Sequence, residues 1–118
     1  MQKNSLTGWS AISIVVMFAT FASTSAGGEE LPVFGTLSCG EWVQRAGYPT
    51  GKITNEYWLA GFMSGQAVAS KKNVLKDTDI ASMTLWIDQY CKNDPLSNTV
   101  TAGKNLFLEL LKRKTTTP

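Results

Sequence analysis

The stretch "WLAGFMSGQAVA" (residues 58–69) decides between three kinds of fold. Its two glycines, Gly61 and Gly65, lie four residues apart among apolar and small side chains. Such pairs occur in phosphate-binding loops, in membrane-helix dimers and in closely packed soluble helices. A phosphate loop has the spacing G-x-x-x-x-G-K-[ST] and follows a strand, and "GFMSG" (61–65) has neither feature. A membrane-spanning helix needs roughly 20 apolar residues, and the apolar stretch 57–69 is shorter than that. We therefore predict a soluble helix in which Gly61 and Gly65 allow close packing of another helix.

This predicted helix starts near Thr54 or Asn55, runs to about Ala69 and is apolar over most of its circumference. A helix of this kind either lies at the centre of a fold or buries one side in a partner. Its large side chains are therefore candidates for a protein-binding surface, and they are Tyr57, Trp58, Phe62 and Met63. Packing within the core is the alternative interpretation for these residues, because a small domain needs large side chains to fill its interior.

Three further helices are predicted, one before this helix and two after it. The first helix of the chain begins at "SCGE" (38–41), a capping box in which the side chains of Ser38 and Glu41 each accept a hydrogen bond from the other residue's backbone N–H. Apolar residues then recur at helical spacing, namely Cys39, Trp42, Val43 and Ala46. Pro49 and two glycines within 46–52 are expected to end this helix, because both residue types interrupt helices.

The third and fourth helices are predicted after polar segments. The aspartates of "KDTD" (76–79) can cap the third helix. Its apolar stripe comprises Ile80, Met83, Ile87, Tyr90 and Cys91, with Trp86 beside it. Pro95 is expected at the first position of the fourth helix, whose apolar face comprises Leu96, Val100, Gly103, Phe107, Leu110 and Leu111. Because no alternating strand pattern is present, we predict an all-α fold, a small four-to-five-helix orthogonal bundle.

Residues 1–26 have the layout of a secretory signal peptide, with Lys3, an apolar run over 11–22 and small residues over 23–26. We expect cleavage after Ala26 and export to the periplasm. The remaining chain is predicted to have an irregular lead-in over 27–36, a helical domain over 37–114 and a frayed tail over 115–118. No second apolar run is long enough to span a bilayer, so no membrane association is expected after cleavage.

The two cysteines, Cys39 and Cys91, both belong to the predicted helical domain. An exported chain meets an oxidising compartment, and two cysteines allow one intrachain pairing. A metal site or a redox pair is the competing interpretation. The chain has no histidine and no C-x-x-C motif, however, so it is a poor match to either. We predict a disulfide that ties the start of the first helix to the end of the third.

Composition argues against catalysis and against nucleic-acid binding. The lack of histidine removes the commonest general base and metal ligand. Asp77 and Asp79 fit helix caps better than the carboxylate pair of a hydrolase. Ten of the eleven basic residues and all nine acidic residues follow residue 26, which leaves a net charge of only +1, whereas a nucleic-acid binder normally has a basic face. We therefore expect no catalytic residues, no cofactor, no metal and no nucleic-acid partner.

Three short motifs resemble those of a known family, the periplasmic HdeA/HdeB acid-stress chaperones. They are "SCGEW" (38–42), "YWL" (57–59) and "IDQYCKNDP" (87–95), and the resemblance covers about residues 38–111. It implies a small helical protein with one disulfide that forms a dimer at neutral pH. In acid, such a dimer dissociates and exposes its apolar interface to unfolded client proteins. Through "GFMSG" (61–65) the chain also resembles small exported immunity proteins that neutralise type VI secretion effectors.

The sequence thus predicts a periplasmic, non-enzymatic protein that binds unfolded or partner proteins through an apolar helical surface, as an acid-stress chaperone does. A homodimer is part of that prediction. The alternative is an immunity or inhibitor protein that binds one secreted enzyme directly through a preformed surface.

Overall fold

A computed structural model describes residues 31–116 of the chain and confirms the all-α prediction. The helices of this range are α1 (Cys39–Gln44), α2 (Pro49–Ser70), α3 (Ile80–Asn93) and α4 (Thr99–Thr116). A 3₁₀ turn at Arg45–Gly47 follows α1. Because α4 runs through Thr116, the predicted tail over 115–118 is helical in its first two residues. Residues 1–30, which include the predicted signal peptide, and residues 117–118 lie outside the described range.

Helix α1 begins at the predicted capping box. Ser38 Oγ accepts a hydrogen bond from the backbone N–H of Glu41 at 3.2 Å, and Glu41 Oε2 accepts one from the backbone N–H of Ser38 at 2.8 Å. The helix ends after six residues, however, and Val43 and Ala46 are exposed. Such a short helix presents only its first turn to the core, so the predicted apolar face is correct for its first two residues and wrong for the last two.

The two prolines have the opposite roles from those predicted. Pro49 is the first residue of α2, which starts about five residues before the predicted Thr54. The ring of a proline fixes φ near the helical value, and its missing N–H falls where a helix has no acceptor for it. Pro95 instead lies in the turn before α4, which begins at Thr99 after a side-chain cap from Asn98.

The core draws residues from all four helices. Its buried members are Cys39, Trp42, Leu59, Met63, Met83, Ile87, Cys91, Ala102 and Leu106. Helix α3 packs against α1, α2 and α4, and α2 packs against α3, α4 and the 3₁₀ turn. In α4 the predicted apolar face is largely confirmed, because Val100 and Gly103 are buried and Phe107, Leu110 and Leu111 are half-buried. Leu96 is the exception, since it precedes the helix and is 97% exposed, and the pattern missed buried Ala102 and Leu106.

The predicted Cys39–Cys91 disulfide is present, with an S–S distance of 2.02 Å and a Cα–Cα distance of 4.8 Å. Both cysteines are fully buried. The bond joins the first residue of α1 to the last turn of α3, as predicted.

A single antiparallel bridge between Ser38 and Asn98 lies next to the disulfide. The backbone N–H of Thr99 donates to Leu37 O at 2.9 Å, and Thr99 Oγ1 accepts from the backbone N–H of Leu37 at 3.0 Å. These bonds fix the chain just before α1 to the chain at the start of α4.

Residues 31–36 form the described part of the irregular lead-in and contain no helix or strand. Trp58 Nε1 of α2 donates a 2.7 Å hydrogen bond to Phe34 O. Gly35 has φ +76°, and a Cβ at this position would lie 2.7 Å from Trp58 Cδ1. Glycine is therefore required both by the backbone conformation and by the close approach of the indole ring.

Candidate functional site

Of the four predicted surface residues on α2, only Tyr57 is largely exposed, at 68%. Trp58 and Phe62 are half-buried, and Met63 is fully buried in the core. The assignment of Met63 to a binding surface is therefore wrong for the folded chain. Successive residues of a helix are about 100° apart, so neighbours in this segment point to different sides of α2.

Trp58 and Phe62 make most of their contacts within the folded chain. Their rings stack with centroids 5.2 Å apart and planes 6° apart. The Phe62 ring packs against Gly103 of α4, where an added Cβ would lie 2.7 Å from Phe62 Cε1. With the hydrogen bond from Trp58 to Phe34, this pair attaches both the lead-in and α4 to α2.

The prediction that Gly61 and Gly65 make a close helix contact is wrong among residues 31–116. Within this range, a Cβ built at either position meets nothing within 4 Å beyond the adjacent backbone of α2, and both residues are exposed. The glycine that permits close helix packing is Gly103, on the facing helix α4. Two glycines spaced by four residues define one side of a helix, but the spacing does not say whether that side faces the core.

The solvent side of α2 carries exposed apolar residues beside the small polar Thr54 and Ser64. Ile53, Tyr57 and Val68 are 57%, 68% and 79% exposed, and helical spacing places them on one side with both glycines between them. Residues 57–70 contain no charged side chain, and the nearest charges are half-buried Glu56 before them and exposed Lys71 after them. We call this side the uncharged α2 face. It spans residues 53–70, about 27 Å of helix, and exposed apolar surfaces of this kind mark interaction sites.

Buried Arg45 is a second feature, which no sequence pattern indicated. Its Nη1 donates to Trp42 O and to Asp88 Oδ1, both at 2.8 Å, and its Nη2 lies 4.0 Å from Glu56 Oε1. The guanidinium carbon also lies 4.0 Å from the centroid of the Trp42 ring system. A buried cation must be paired to be tolerated. The pairing joins residues 45 and 88 through the tertiary fold, so the spacing of a single sequence does not reveal it.

Arg45 lies in the lining of an open cavity of about 500 Å³ between α2 and α3. On the α2 side it is lined by Lys52 and Glu56, and on the α3 side by Ile80, Ala81, Thr84, Leu85 and Asp88. Two buried polar atoms of these residues, Arg45 Nε and Thr84 Oγ1, have no hydrogen-bond partner. We call this feature the Arg45 cavity. Its volume falls within the range of small-ligand sites.

Comparison of the chain with protein-family models, with curated proteins and with solved structures finds no match. The resemblances to acid-stress chaperones and to immunity proteins therefore stay predictions. Among residues 31–116, no group of three or more His, Cys, Asp or Glu side chains is placed to hold a metal ion. Within the same residues, none of the helices combines the length and the apolar character needed to cross a bilayer.

Proposed function

We propose that this chain is an exported, non-enzymatic protein that binds one folded partner, in the manner of an immunity or inhibitor protein acting on a secreted effector enzyme. The observation that carries the proposal is the uncharged α2 face. Burying its exposed side chains would contribute about 25 cal/mol for each Å² of apolar surface removed from water.

The rigidity of α2 favours a folded partner. Leu59 and Met63 fix the opposite side of the helix in the core, where both are fully buried. A preformed surface loses little conformational entropy on binding. Proteins that accept many partners instead use flexible surfaces that can repack. The uncharged α2 face thus suits a single complementary surface better than a range of unfolded clients.

The chemistry of this face also limits what can cover it. A charged group of the partner would lose its hydration without gaining an ion pair, which is costly. The partner is therefore expected to present an apolar, uncharged surface to Ile53, Tyr57 and Val68. Export would bring the chain to the compartment in which a secreted effector acts, and the predicted signal peptide and the Cys39–Cys91 disulfide both support export.

The test is capture of a stoichiometric partner from periplasmic extract, followed by an assay of that partner's activity. We expect a 1:1 complex in which the partner's enzymatic activity is inhibited. Tyr57→Asp should weaken the complex at least tenfold, because it places a charge without a counter-ion within the interface. Leu108→Asp is the matched control, since Leu108 is an exposed apolar residue of α4, at 60%. Equal losses in both variants, or no stoichiometric partner, would reject the proposal.

Acid-stress chaperone activity is the second candidate, and one observation favours it. The two anions nearest to buried Arg45 are the carboxylates of Glu56 and Asp88. Neutralising both carboxylates would leave the Arg45 charge buried without a counter-ion, which favours opening of the fold and exposure of the core. Light scattering of an unfolding client at about pH 3 tests this candidate, and no suppression at equimolar protein would remove it.

A further inference from the structure

The lining of the Arg45 cavity carries two anions, Glu56 and Asp88, and two cations, Arg45 and Lys52. Both carboxylates lie within 4.0 Å of the Arg45 guanidinium, so the groups shielded from solvent carry one excess negative charge. Lys52 is a lining residue too, but it is exposed to solvent. Its charge is therefore more strongly screened than those of the partly buried groups.

Solvent reaches the carboxylates and hardly reaches the guanidinium. The side chains of Glu56 and Asp88 are 24% and 28% exposed, whereas that of Arg45 is 6% exposed. A group that enters the cavity therefore meets carboxylate oxygens from two helices, with the guanidinium already held by Asp88 and by Trp42 O. Carboxylates are hydrogen-bond acceptors, and they pair best with a planar guanidinium that carries several N–H groups.

A second observation also indicates a ligand. Thr84 lines the same cavity, is 93% buried, and its Oγ1 has no hydrogen-bond partner. A hydroxyl oxygen can accept a hydrogen bond from a guanidinium N–H. Arg45 Nε is the other buried atom without a partner, and it is a donor. A carboxylate is therefore the competing ligand.

Part of the α3 side of the cavity is apolar, with Ile80, Ala81 and Leu85 beside Thr84 and Asp88. Arginine side chains characteristically bury their aliphatic stem along apolar surface while the charged end remains paired. We infer that the Arg45 cavity binds an aliphatic guanidinium, such as the side chain of an arginine, with its stem on α3 and its charged end at Glu56 and Asp88. This inference goes beyond the proposed function, because the cavity would bind the cation whether or not the uncharged α2 face binds a protein.

The experiment is a titration of the isotope-labelled protein with butylguanidinium, followed by amide chemical shifts at constant ionic strength. Butylammonium, unsubstituted guanidinium and butyrate are the comparison probes. We expect saturable shifts at Ile80, Ala81 and Leu85 with butylguanidinium, and at least threefold weaker binding of each comparison probe. Non-saturable shifts, or tighter binding of butyrate, would overturn the inference.

A matched pair of variants locates the site. Glu56→Gln keeps a side chain of the same size and leaves the bond between Arg45 and Asp88 in place, so the fold is expected to persist. It should weaken butylguanidinium binding at least threefold. Glu109→Gln removes a carboxylate that pairs with Arg113 on α4, outside the cavity, and should leave binding unchanged. Unchanged binding in Glu56→Gln, with its folded spectrum intact, would equally overturn the inference.

Discussion

Arg45 Nη1 lies 2.8 Å from Asp88 Oδ1, and this contact joins the 3₁₀ turn after α1 to the middle of α3. The same carboxylate oxygen accepts a 2.8 Å hydrogen bond from Trp42 Nε1. The Asp88 side chain of α3 therefore accepts hydrogen bonds both from Trp42 of α1 and from Arg45 of the 3₁₀ turn. The disulfide joins the same two helices, so covalent and ionic connections reinforce each other.

The first prediction concerns this ion pair. Asp88→Asn should lower the free energy of unfolding by about 2–4 kcal/mol, because it leaves the buried Arg45 charge without its nearest anion. An asparagine can still accept the hydrogen bond from Trp42. The double variant Arg45→Met with Asp88→Asn should recover much of the loss, since it removes both charges. Urea denaturation at neutral pH measures these changes, and a single variant as stable as the wild type would contradict the prediction.

The second prediction compares the glycines of α2 with the glycine of α4. Gly61→Ala and Gly65→Ala should each stabilise the protein by up to about 1 kcal/mol, because the new methyl group meets open space and alanine is the better helix former. Gly103→Ala should destabilise it by about 1–3 kcal/mol, because the Phe62 ring must move to admit the methyl group. Thermal unfolding distinguishes the two directions. If Gly61→Ala or Gly65→Ala instead lowers the unfolding temperature, these glycines make a close contact with something other than residues 31–116.

The third prediction concerns the disulfide, whose cysteines are 52 residues apart in sequence. Replacing both cysteines with alanine should cost about 4 kcal/mol on the chain-entropy model. A domain with a small core has little stability to lose, so the reduced chain is expected to unfold at a much lower temperature. Calorimetry with and without reductant tests this, and unchanged unfolding after verified reduction would refute it.

The fourth prediction concerns pH and the helix caps. Hydrogen bonds from the backbone N–H and then the hydroxyl of Ser38 lower the pKa of the Glu41 carboxyl. Hydrogen bonds from Ser82, chiefly from its backbone N–H, lower the pKa of the Asp79 carboxyl. Because both folded-state pKa values lie below the unfolded ones, their stabilising effect is present at neutral pH. It is lost as the pH falls from the ordinary carboxyl range through the lowered values.

Glu41→Gln combined with Asp79→Asn should therefore flatten the fall in stability between about pH 5 and pH 2. Both substitutions keep a polar side chain at the cap but remove the titrating group. Urea midpoints measured across this interval give the slope. A slope equal to that of the wild type would show that these carboxyls do not contribute to acid sensitivity.

Features that depend on local chemistry were predictable from the sequence. The capping box at Ser38 and Glu41 needs only residues three apart, and the Cys39–Cys91 pairing follows from the presence of two cysteines. Proline was ambiguous because it both ends helices and starts them. Pro49 starts α2 because the preceding helix has already ended in the 3₁₀ turn at Arg45–Gly47.

Features that depend on which side of a helix faces inward could not be predicted from spacing alone. Helix α2 is apolar nearly all round, so Met63 and Tyr57 were equally plausible surface residues. Only contacts with α3 and α4 place the first in the core and the second in solvent. The Arg45 cavity depends on contacts between residues far apart in sequence, and no periodic pattern encodes these.

The bridge between Ser38 and Asn98 has a mechanical consequence. A force that pulls on the chain before Leu37 reaches the Thr99 hydrogen bonds and the disulfide before it can act along α1. The load then passes into α3 and α4, which are both longer than α1, and the six-residue α1 is spared. A pull on the lead-in before Phe34 also reaches α2 through the hydrogen bond from Trp58 to Phe34. Tethering the protein to a surface by this segment should therefore load α2, α3 and α4 and leave α1 unstrained.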